Sequence, residues 1–379
     1  MFRSWFFRIF SILALLVLFL MNLGIVSDAG DSQWIFRAIP SSIPYFNLLI
    51  LNVAQAIIAV FLASDFLKRD KKLDTTEVIY MRSMTNGEYV IGKTLGNMQV
   101  FMILNIAVLV MAMVYNMIAP GTHVPWISYL LYLLLISIPT LVFIMGLSFL
   151  LMSLIRNQAV TFVIILGYIG LTLFLIQDAW YYVFDYMAFN IPMLRSEIVG
   201  FGNLDLILGH RGIYFCLGTG FIFLTIFLLK RLPQSESMTF FSVILSVLFI
   251  GAGGYLAYRH VNRFVQNDHR RAEAVSLNNH YGALPVADVV SNDLNLQHKG
   301  NSIEVKSQMA LVNNTRRPID SLVFNLNPGL EIGMVKLEGE EITPVREKQI
   351  IIIPLKKGMS PADTLTVEMT YRGIIDEAY

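Results

Sequence analysis

The sequence has few charged residues and a single cysteine, and both shortages narrow the class of protein. Only 15% of the 379 residues are Asp, Glu, Lys or Arg, whereas 55% are hydrophobic. Soluble globular chains carry about 25% charged residues, so this composition predicts a membrane protein. The lone Cys216 excludes an intrachain disulfide and a cysteine zinc cluster. The net charge of +1 gives no indication of a nucleic-acid partner, and none is expected.

Seven apolar runs approach or exceed the length that a membrane-spanning helix requires. Crossing about 30 Å of hydrocarbon takes roughly 20 residues, and charged residues are almost absent from the interiors of these runs. The first run follows Arg3 and Arg8, as a signal peptide would. It lacks a convincing cleavage site, so we interpret it as a retained span. The runs cover residues 6–26, 45–64, 96–118, 127–155, 159–177, 212–229 and 239–257.

Basic residues predict the orientation of these runs. With the N-terminus in the cytoplasm, the short outer loops hold only Arg37, Arg195 and Arg211, and the other basic residues of the loops lie inside. The last run then exports everything after about residue 258. Arg259 and Arg263 oppose this direction, but long exported domains largely escape the charge rule. We therefore expect a bacterial inner-membrane protein with a periplasmic C-terminal domain.

The stretch 87–94, GEYVIGKT, matches the phosphate-loop pattern G-x-x-x-x-G-K-[ST]. A working phosphate loop follows a buried strand and belongs to a nucleotide-binding domain of about 100 residues or more. Only about 30 residues separate the second and third apolar runs, and the helix after Thr94 enters the membrane. We therefore reject nucleotide binding by this chain.

Residues 65–93, named here the connector, have an organisation of their own. Asp74 and Glu77 resemble a capping box, and the apolar residues that follow predict a short helix along the membrane surface. The stretch TNGE predicts a turn that closes this helix before the third run. An ordinary solvated loop explains the same residues equally well.

The stretch LDTTEVIYMRSMTNGEYVIGKTLGN resembles the connector of ABC-2 type transporter permeases, in which an acidic-basic pair and a coupling helix precede the third span. Ser83 departs from the family pattern, which commonly has proline there. The matching places are occupied by Met84, Thr85, Tyr89, Gly92, Lys93 and Gly96.

This resemblance implies that the connector docks on a separate ABC ATPase subunit. That subunit would bind ATP and Mg, so this chain itself would hold no cofactor and would not be an enzyme. The resemblance also implies a second permease half, either a homodimer or a heterodimer partner, within the lipid bilayer. The coupling residues that it implies are Asp65, Arg69, Asp70, Glu77, Tyr80, Arg82, Tyr89, Gly92 and Lys93.

Residues 178–211 are too polar to span the membrane and too aromatic for a simple loop. Amphipathic rings are favoured at the headgroup region. The resembled permeases carry a short re-entrant element between the fifth and sixth spans, which acts as an outer gate. Carried over, this implies gate residues Trp180, Tyr186, Phe189 and Pro192, with an inert interfacial helix as the alternative.

Three features within the runs carry further expectations. Pro139 removes a backbone hydrogen bond and predicts a kink in the fourth run. Asn52 and Gln55 in the second run either line a path or bond to a neighbouring helix. Gly92 and Gly96 would permit close helix approach at the start of the third run.

From about residue 283 the apolar period changes to two. In TLTVEMTY, and again from Ile303 to Leu311, apolar and polar side chains mostly alternate. Turn sequences such as NPG and KKGMSPAD separate these runs and predict an antiparallel β-sandwich.

The β-region resembles the N-terminal domain of M1-family aminopeptidases, and fusion of such a domain to a permease implies a Bacteroidetes-type bacterial protein. Zinc hydrolysis in that family needs H-E-x-x-H, and none of the six histidines precedes a glutamate. No catalytic role and no metal site are carried over. The relatives continue beyond IIDEAY, so we expect a longer parent protein.

The expected architecture is an α-helical polytopic membrane protein with a six-span ABC-2 permease fold, a seventh span and a C-terminal all-β sandwich. The expected divisions are a permease domain at 1–235, a seventh helix at 236–258, a linker at 259–282 and an incomplete β-domain at 283–379. The alternatives are a membrane-anchored M1-like peptidase or peptide-binding module, and a non-transporting scaffold in a secretion or gliding apparatus.

Overall fold

The computed structural model describes residues 5–26, 39–64, 85–118, 123–197, 200–229 and 236–378. The chain divides into two compact units, Met1–Val261 and Asn262–Tyr379. The first unit is helical, and the second combines the end of a long helix with β-strands.

In the described residues, eight α-helices cover the apolar runs that the sequence predicts. A π-helical turn, Leu133–Ser137, joins the fourth helix to the fifth without a break. The helices are α1 (Trp5–Val26), α2 (Ser42–Ser64), α3 (Asn86–Ile118), α4 (Trp126–Tyr132), α5 (Ile138–Ile155), α6 (Gln158–Phe174), α7 (Leu204–Leu228) and α8 (Glu236–Tyr281).

Within the described ranges, six helical segments have the length and apolar composition to cross a membrane, with α4, the π-turn and α5 counted as one segment. The fifth predicted run forms α6, which is apolar but only 17 residues long. A straight span needs roughly 20 residues, so α6 is short for this role. The seven predicted runs therefore correspond to six long apolar helices and one short one.

The start of α3 corrects the predicted turn at TNGE. The helix begins at Asn86, so these residues form its first turn. The Thr85 amide and hydroxyl donate to Glu88 Oε2 at 2.8 and 3.0 Å, and the Glu88 amide donates to Thr85 Oγ1 at 3.2 Å. This reciprocal pair is a capping box, which satisfies amides that the start of a helix leaves without partners.

Residues 259–281, which the sequence analysis assigns to a linker, continue α8. Inside the second unit, the end of this helix contacts the β-domain through polar side chains. Gln349 Nε2 donates to the Ala274 carbonyl at 2.8 Å, and the Tyr281 hydroxyl donates to Glu347 Oε2 at 2.7 Å. The apolar period ends near residue 257, but the helical backbone continues because these contacts support it.

Two glycines bring α5 and α7 into backbone contact. A Cβ atom on Gly146 would lie 2.3 Å from the Gly218 carbonyl oxygen, and a Cβ on Gly218 would lie 2.5 Å from Phe143 Cα. Only glycine, which has no side chain, permits this approach. Small residues at the contact are the usual means by which apolar helices associate closely. Gly92 and Gly96 have no such neighbour among the described residues, so the close approach predicted there is absent.

The second unit contains two antiparallel sheets. Their strand orders are β1-β2-β8-β4-β5 and β3-β7-β6. The strands are β1 (Asp288–Lys299), β2 (Ser302–Val312), β3 (Ile319–Asn325), β4 (Leu330–Leu337), β5 (Glu340–Glu341), β6 (Val345–Glu347), β7 (Ile350–Met359) and β8 (Thr364–Gly373).

The apolar residues of the alternating stretches form the core of this β-domain. Val305, Met309 and Leu311 of β2 are buried, and Met309 pairs with the buried Val367 of β8. Buried side chains of the other sheet, including Ile351, join the same cluster. The C-terminal antiparallel β-domain that the sequence predicts is therefore confirmed.

The close approach of α5 and α7 predicts a stability difference between two alanine variants of α7. Gly218→Ala forces a methyl group against the α5 backbone and should destabilise the helical unit by about 1–3 kcal/mol. Gly209→Ala is the matched control, since nothing lies within 4 Å of its Cβ position. The measurement is the thermal denaturation midpoint in detergent, and equal midpoints for the two variants would contradict the contact.

Candidate functional site

Most of the connector lies outside the described residues. The implied coupling residues Asp65, Arg69, Asp70, Glu77, Tyr80 and Arg82 therefore stay predictions. The remaining three, Tyr89, Gly92 and Lys93, lie on the first turns of α3, where Lys93 Nζ is 5.5 Å from the centre of the Tyr89 ring. Residues 87–94 are helical throughout, whereas a phosphate loop is a turn between a strand and a helix.

The four implied gate residues lie on one irregular stretch, residues 175–197, named here the inserted segment. The structure separates these four residues: Trp180, Phe189 and Pro192 are exposed, whereas Tyr186 is fully buried. Its buried apolar side chains join the same clusters as the helices: Tyr186, Met187, Ala188, Ile191 and Met193. The segment therefore enters the helix bundle and is not an exposed interfacial loop.

Side chains from three helices hold the backbone of the inserted segment. Asn52 of α2 donates to the Met187 carbonyl at 2.8 Å, and Arg211 Nη1 of α7 donates to the Tyr186 carbonyl at 2.9 Å. Thr140 Oγ1 of α5 lies 3.0 Å from the same Tyr186 carbonyl. A buried carbonyl without a donor is costly, so these bonds are a condition for placing non-helical backbone here.

Arg211 also donates hydrogen bonds to carbonyls of the irregular turn ahead of Pro139. Pro139 has no N–H for the carbonyl of Leu135, its partner in a regular α-helix. Arg211 Nε donates to that carbonyl at 2.7 Å, and Nη2 donates to the Ile136 carbonyl at 3.2 Å. A π-helical turn precedes Pro139, and a side chain from α7 donates to its carbonyls, whereas the predicted kink stays a prediction.

The hydrogen bonds continue from Arg211 to α3. Arg211 Nη2 and Asn52 Nδ2 both donate to Thr140 Oγ1, at 2.7 and 2.9 Å. Gln55 Nε2 donates to Asn52 Oδ1 at 2.8 Å, and Asn105 Nδ2 donates to Gln55 Oε1 at 2.7 Å. Asn52 and Gln55 thus bond to neighbouring helices, which was one of the two predicted roles. These side chains and Ser137, which donates to Asn105 Oδ1, form the polar network: Asn52, Gln55, Asn105, Ser137, Thr140 and Arg211.

The prediction that Arg211 lies in an outer loop is wrong. Arg211 lies on α7 and is only 2% exposed, because α7 begins at Leu204 and not near residue 212. Asp185 supplies a nearby negative charge on the inserted segment, and its carboxylate accepts from the amides of Phe189 and Asn190 at 3.1 and 2.7 Å. The apolar residues of LDLIL upstream were the signal that the helix begins earlier.

The inserted segment contains a left-handed turn of three consecutive aromatic residues. Trp180, Tyr181 and Tyr182 have φ values of 53°, 59° and 63°. For residues with a Cβ this conformation costs about 1–2 kcal/mol each. The His210 Nε2 atom lies 3.0 Å from the Tyr182 carbonyl, and the His260 Nε2 atom lies 2.8 Å from the Tyr181 carbonyl. Two helices, α7 and α8, therefore hold this turn.

Comparisons with known proteins show no family for this chain. No family model and no curated protein matches the chain. Solved structures to which it is similar include an M1 zinc metallopeptidase from Deinococcus radiodurans bound to a Tyr-Ser-Ala substrate and a two-domain M1 zinc metallopeptidase bound to L-arginine. Each match has 20% identity and a TM-score of 0.22, and covers 24% of this chain and 21% of that chain. This chain therefore spans about a fifth of their length, and we transfer no residue role. Among the residues that the structure describes, no three His, Cys, Asp or Glu side chains group as metal ligands.

The bond between Arg211 and the proline turn predicts a non-additive pair of substitutions. Arg211→Met removes the donor to the Leu135 carbonyl, to which Pro139 cannot donate, and loss of a donor to a buried carbonyl costs about 1–3 kcal/mol. Pro139→Ala restores a backbone N–H that can reach this carbonyl. Arg211→Met should therefore destabilise the protein less in the Pro139→Ala background than in the wild type.

The measurement is a double-mutant cycle on thermal denaturation in detergent. The expected coupling lies between about 0.5 and 3 kcal/mol. Thr219→Ala combined with Pro139→Ala is the control pair, since the Thr219 hydroxyl is exposed and bonds to its own helix at the Phe215 carbonyl. If Arg211→Met and Pro139→Ala change the free energy of unfolding additively, Arg211 does not compensate for the missing N–H of Pro139.

Proposed function

We propose that this chain is one permease half of an ABC-2 type transporter in a bacterial inner membrane. A separate ATPase subunit would bind and hydrolyse ATP, and the chain would couple that cycle to movement of a substrate across or out of the membrane. The proposal includes a second permease half and a periplasmic β-domain.

The inserted segment is the observation that carries this proposal. At membrane depth, irregular backbone is tolerated only where protein buries it or where it lines a cavity. A buried charge among apolar helices is by default a sign of a functional site, and Arg211 is such a charge. A membrane anchor needs neither feature, since one apolar helix suffices. These features favour a gated membrane unit over the anchored peptidase, for which no contact in the described residues offers specific support.

The polar network suggests how connector motion would reach the gate. The connector joins α2 to α3, and these two helices contribute Asn52, Gln55 and Asn105 to the network. A shift of α2 relative to α5 would break the bonds from Asn52 to Thr140 and to the Met187 carbonyl. Force on the connector would thereby loosen the inserted segment without any contact between the ATPase and the gate.

The exposed surface of the helices suits lipid. Large apolar side chains face outward on α1, α3 and α8, among them Ile12, Ile103 and Val247, each at least half exposed. Such patches are unusual on soluble monomers. The proposal assigns this surface to the bilayer.

The proposed orientation is tested by thiol labelling in intact spheroplasts. In a Cys216→Ser background, Val290→Cys should react with a membrane-impermeant maleimide, since Val290 is 67% exposed on β1 and would be periplasmic. Leu73→Cys, in the connector, should react only after lysis. Labelling of Leu73→Cys from outside would overturn the orientation, and with it the docking of a cytoplasmic ATPase.

The proposed partner is tested by co-purification. The double variant Glu77→Ala/Arg82→Ala should lose the co-expressed ATPase subunit on detergent affinity purification, because both charges would contact that subunit. The matched control is Asp205→Ala/Arg259→Ala, which also removes one acidic and one basic side chain, here an exposed ion pair with 2.8 Å between Nη2 and Oδ1. Under the proposed topology this pair lies at the outer face, so the control should retain the ATPase. Equal recovery with both variants would contradict docking at the connector.

A further inference from the structure

Two histidines from different helices hold adjacent carbonyls of the left-handed turn. His210 of α7 bonds to Tyr182, His260 of α8 bonds to Tyr181, and the two ring centres are 5.3 Å apart. Both side chains are buried. The pair therefore lies where the inserted segment takes its most strained backbone conformation.

The hydrogen bonds determine where the imidazole protons lie. A carbonyl oxygen only accepts, so each Nε2 must carry the proton that it donates. In a neutral ring the other nitrogen then holds a lone pair. His210 Nδ1 is buried without a hydrogen-bond partner in the described part of the chain, so a second proton there would have no acceptor.

The surroundings of His210 oppose a second proton on its ring. Arg211 follows it on α7, and His260 faces it from α8. Tyr214 stacks edge-on at 5.4 Å, and the inserted segment offers the Tyr182 carbonyl. The nearby carboxylate of Asp185 acts on Arg211, and Asp205 pairs with Arg259 on α8. Two charged imidazoles would thus repel each other in a region that already holds a buried guanidinium.

We propose that His210 and His260 form an acid-sensitive latch that holds the turn Trp180–Tyr182 while both rings are neutral and releases it when the pair takes up protons. Release lets the strained turn relax, because the bonds that maintain its left-handed backbone require the two rings to stay together. The latch concerns the conformation of the turn and does not depend on the chain being a permease.

The test follows Trp180, which is 67% exposed on this turn. The background carries Trp5→Phe, Trp34→Phe and Trp126→Phe, so that Trp180 is the one fluorophore of its kind. Acidification should lower its fluorescence anisotropy and increase quenching by iodide, with a midpoint on the acid side of the ordinary histidine value of about pH 6.5, because the surroundings oppose the charge. Absence of this transition in the intact chain would overturn the latch.

Two substitutions assign the transition to the pair. The double variant His210→Gln/His260→Gln keeps an amide N–H for each carbonyl but cannot become charged. The Trp180 anisotropy should therefore stay high at acidic pH as well as at pH 8. His260→Arg places a permanent positive charge beside His210 and should give low anisotropy at pH 8. A double Gln variant that titrates like the wild type, or a His260→Arg variant with high anisotropy, would refute the proposal.

His123 supplies the matched control. Its Nε2 lies 2.8 Å from Glu197 Oε1, so this histidine also contacts the inserted segment. His123→Gln should leave the Trp180 transition unchanged. Loss of the transition in His123→Gln, with retention in the double Gln variant, would assign the acid response to the exposed ion pair and overturn the latch.

Discussion

Backbone carbonyls without helical partners are the constraint on which the helical unit depends. Two groups of them face each other in the bundle interior, one from the turn ahead of Pro139 and one from the inserted segment. Arg211 donates to both, at 2.7 Å to Leu135 and 2.9 Å to Tyr186. Without a donor in this region, neither the π-turn nor the irregular segment would be stable among apolar side chains. The buried charge and the irregular backbone therefore depend on each other.

The inserted segment is attached to the helices at two places. Its buried portion bonds to α2 and α5 through Asn52 and Thr140, and its left-handed turn bonds to α7 and α8 through His210 and His260. Arg211, next to His210, belongs to the first attachment. A change at either attachment alters the surroundings of the other, because residues 210 and 211 move together on α7. Helix α7 would therefore take part both in the proposed response to an ATPase and in the proposed response to acid.

Periodicity predicted the elements of this fold far better than it predicted the site. The apolar runs and the alternation in β2 and β8 follow from burial of one face or of a whole helix, which leaves a pattern in the sequence. Arg211 left no such pattern, because whether an arginine ends a loop or lies inside a helix depends on where α7 begins. The aromatic residues at Trp180–Tyr182 have no local preference for positive φ, so tertiary contacts alone set that turn. The connector, which carries the resemblance to permeases, lies mostly outside the described residues.

The geometry of the guanidinium explains why arginine serves at this position. Nε and Nη2 donate to the two carbonyls of the proline turn, and Nη1 donates to the inserted segment. Nη2 also donates to Thr140 Oγ1 at 2.7 Å, which brings α5 and Asn52 into the same network. A lysine ammonium has its three donors on one nitrogen and cannot reach acceptors spread around the edge of a planar group in this way. The planar fork is thus what lets one side chain replace the missing proline N–H and also bind an element from another part of the chain.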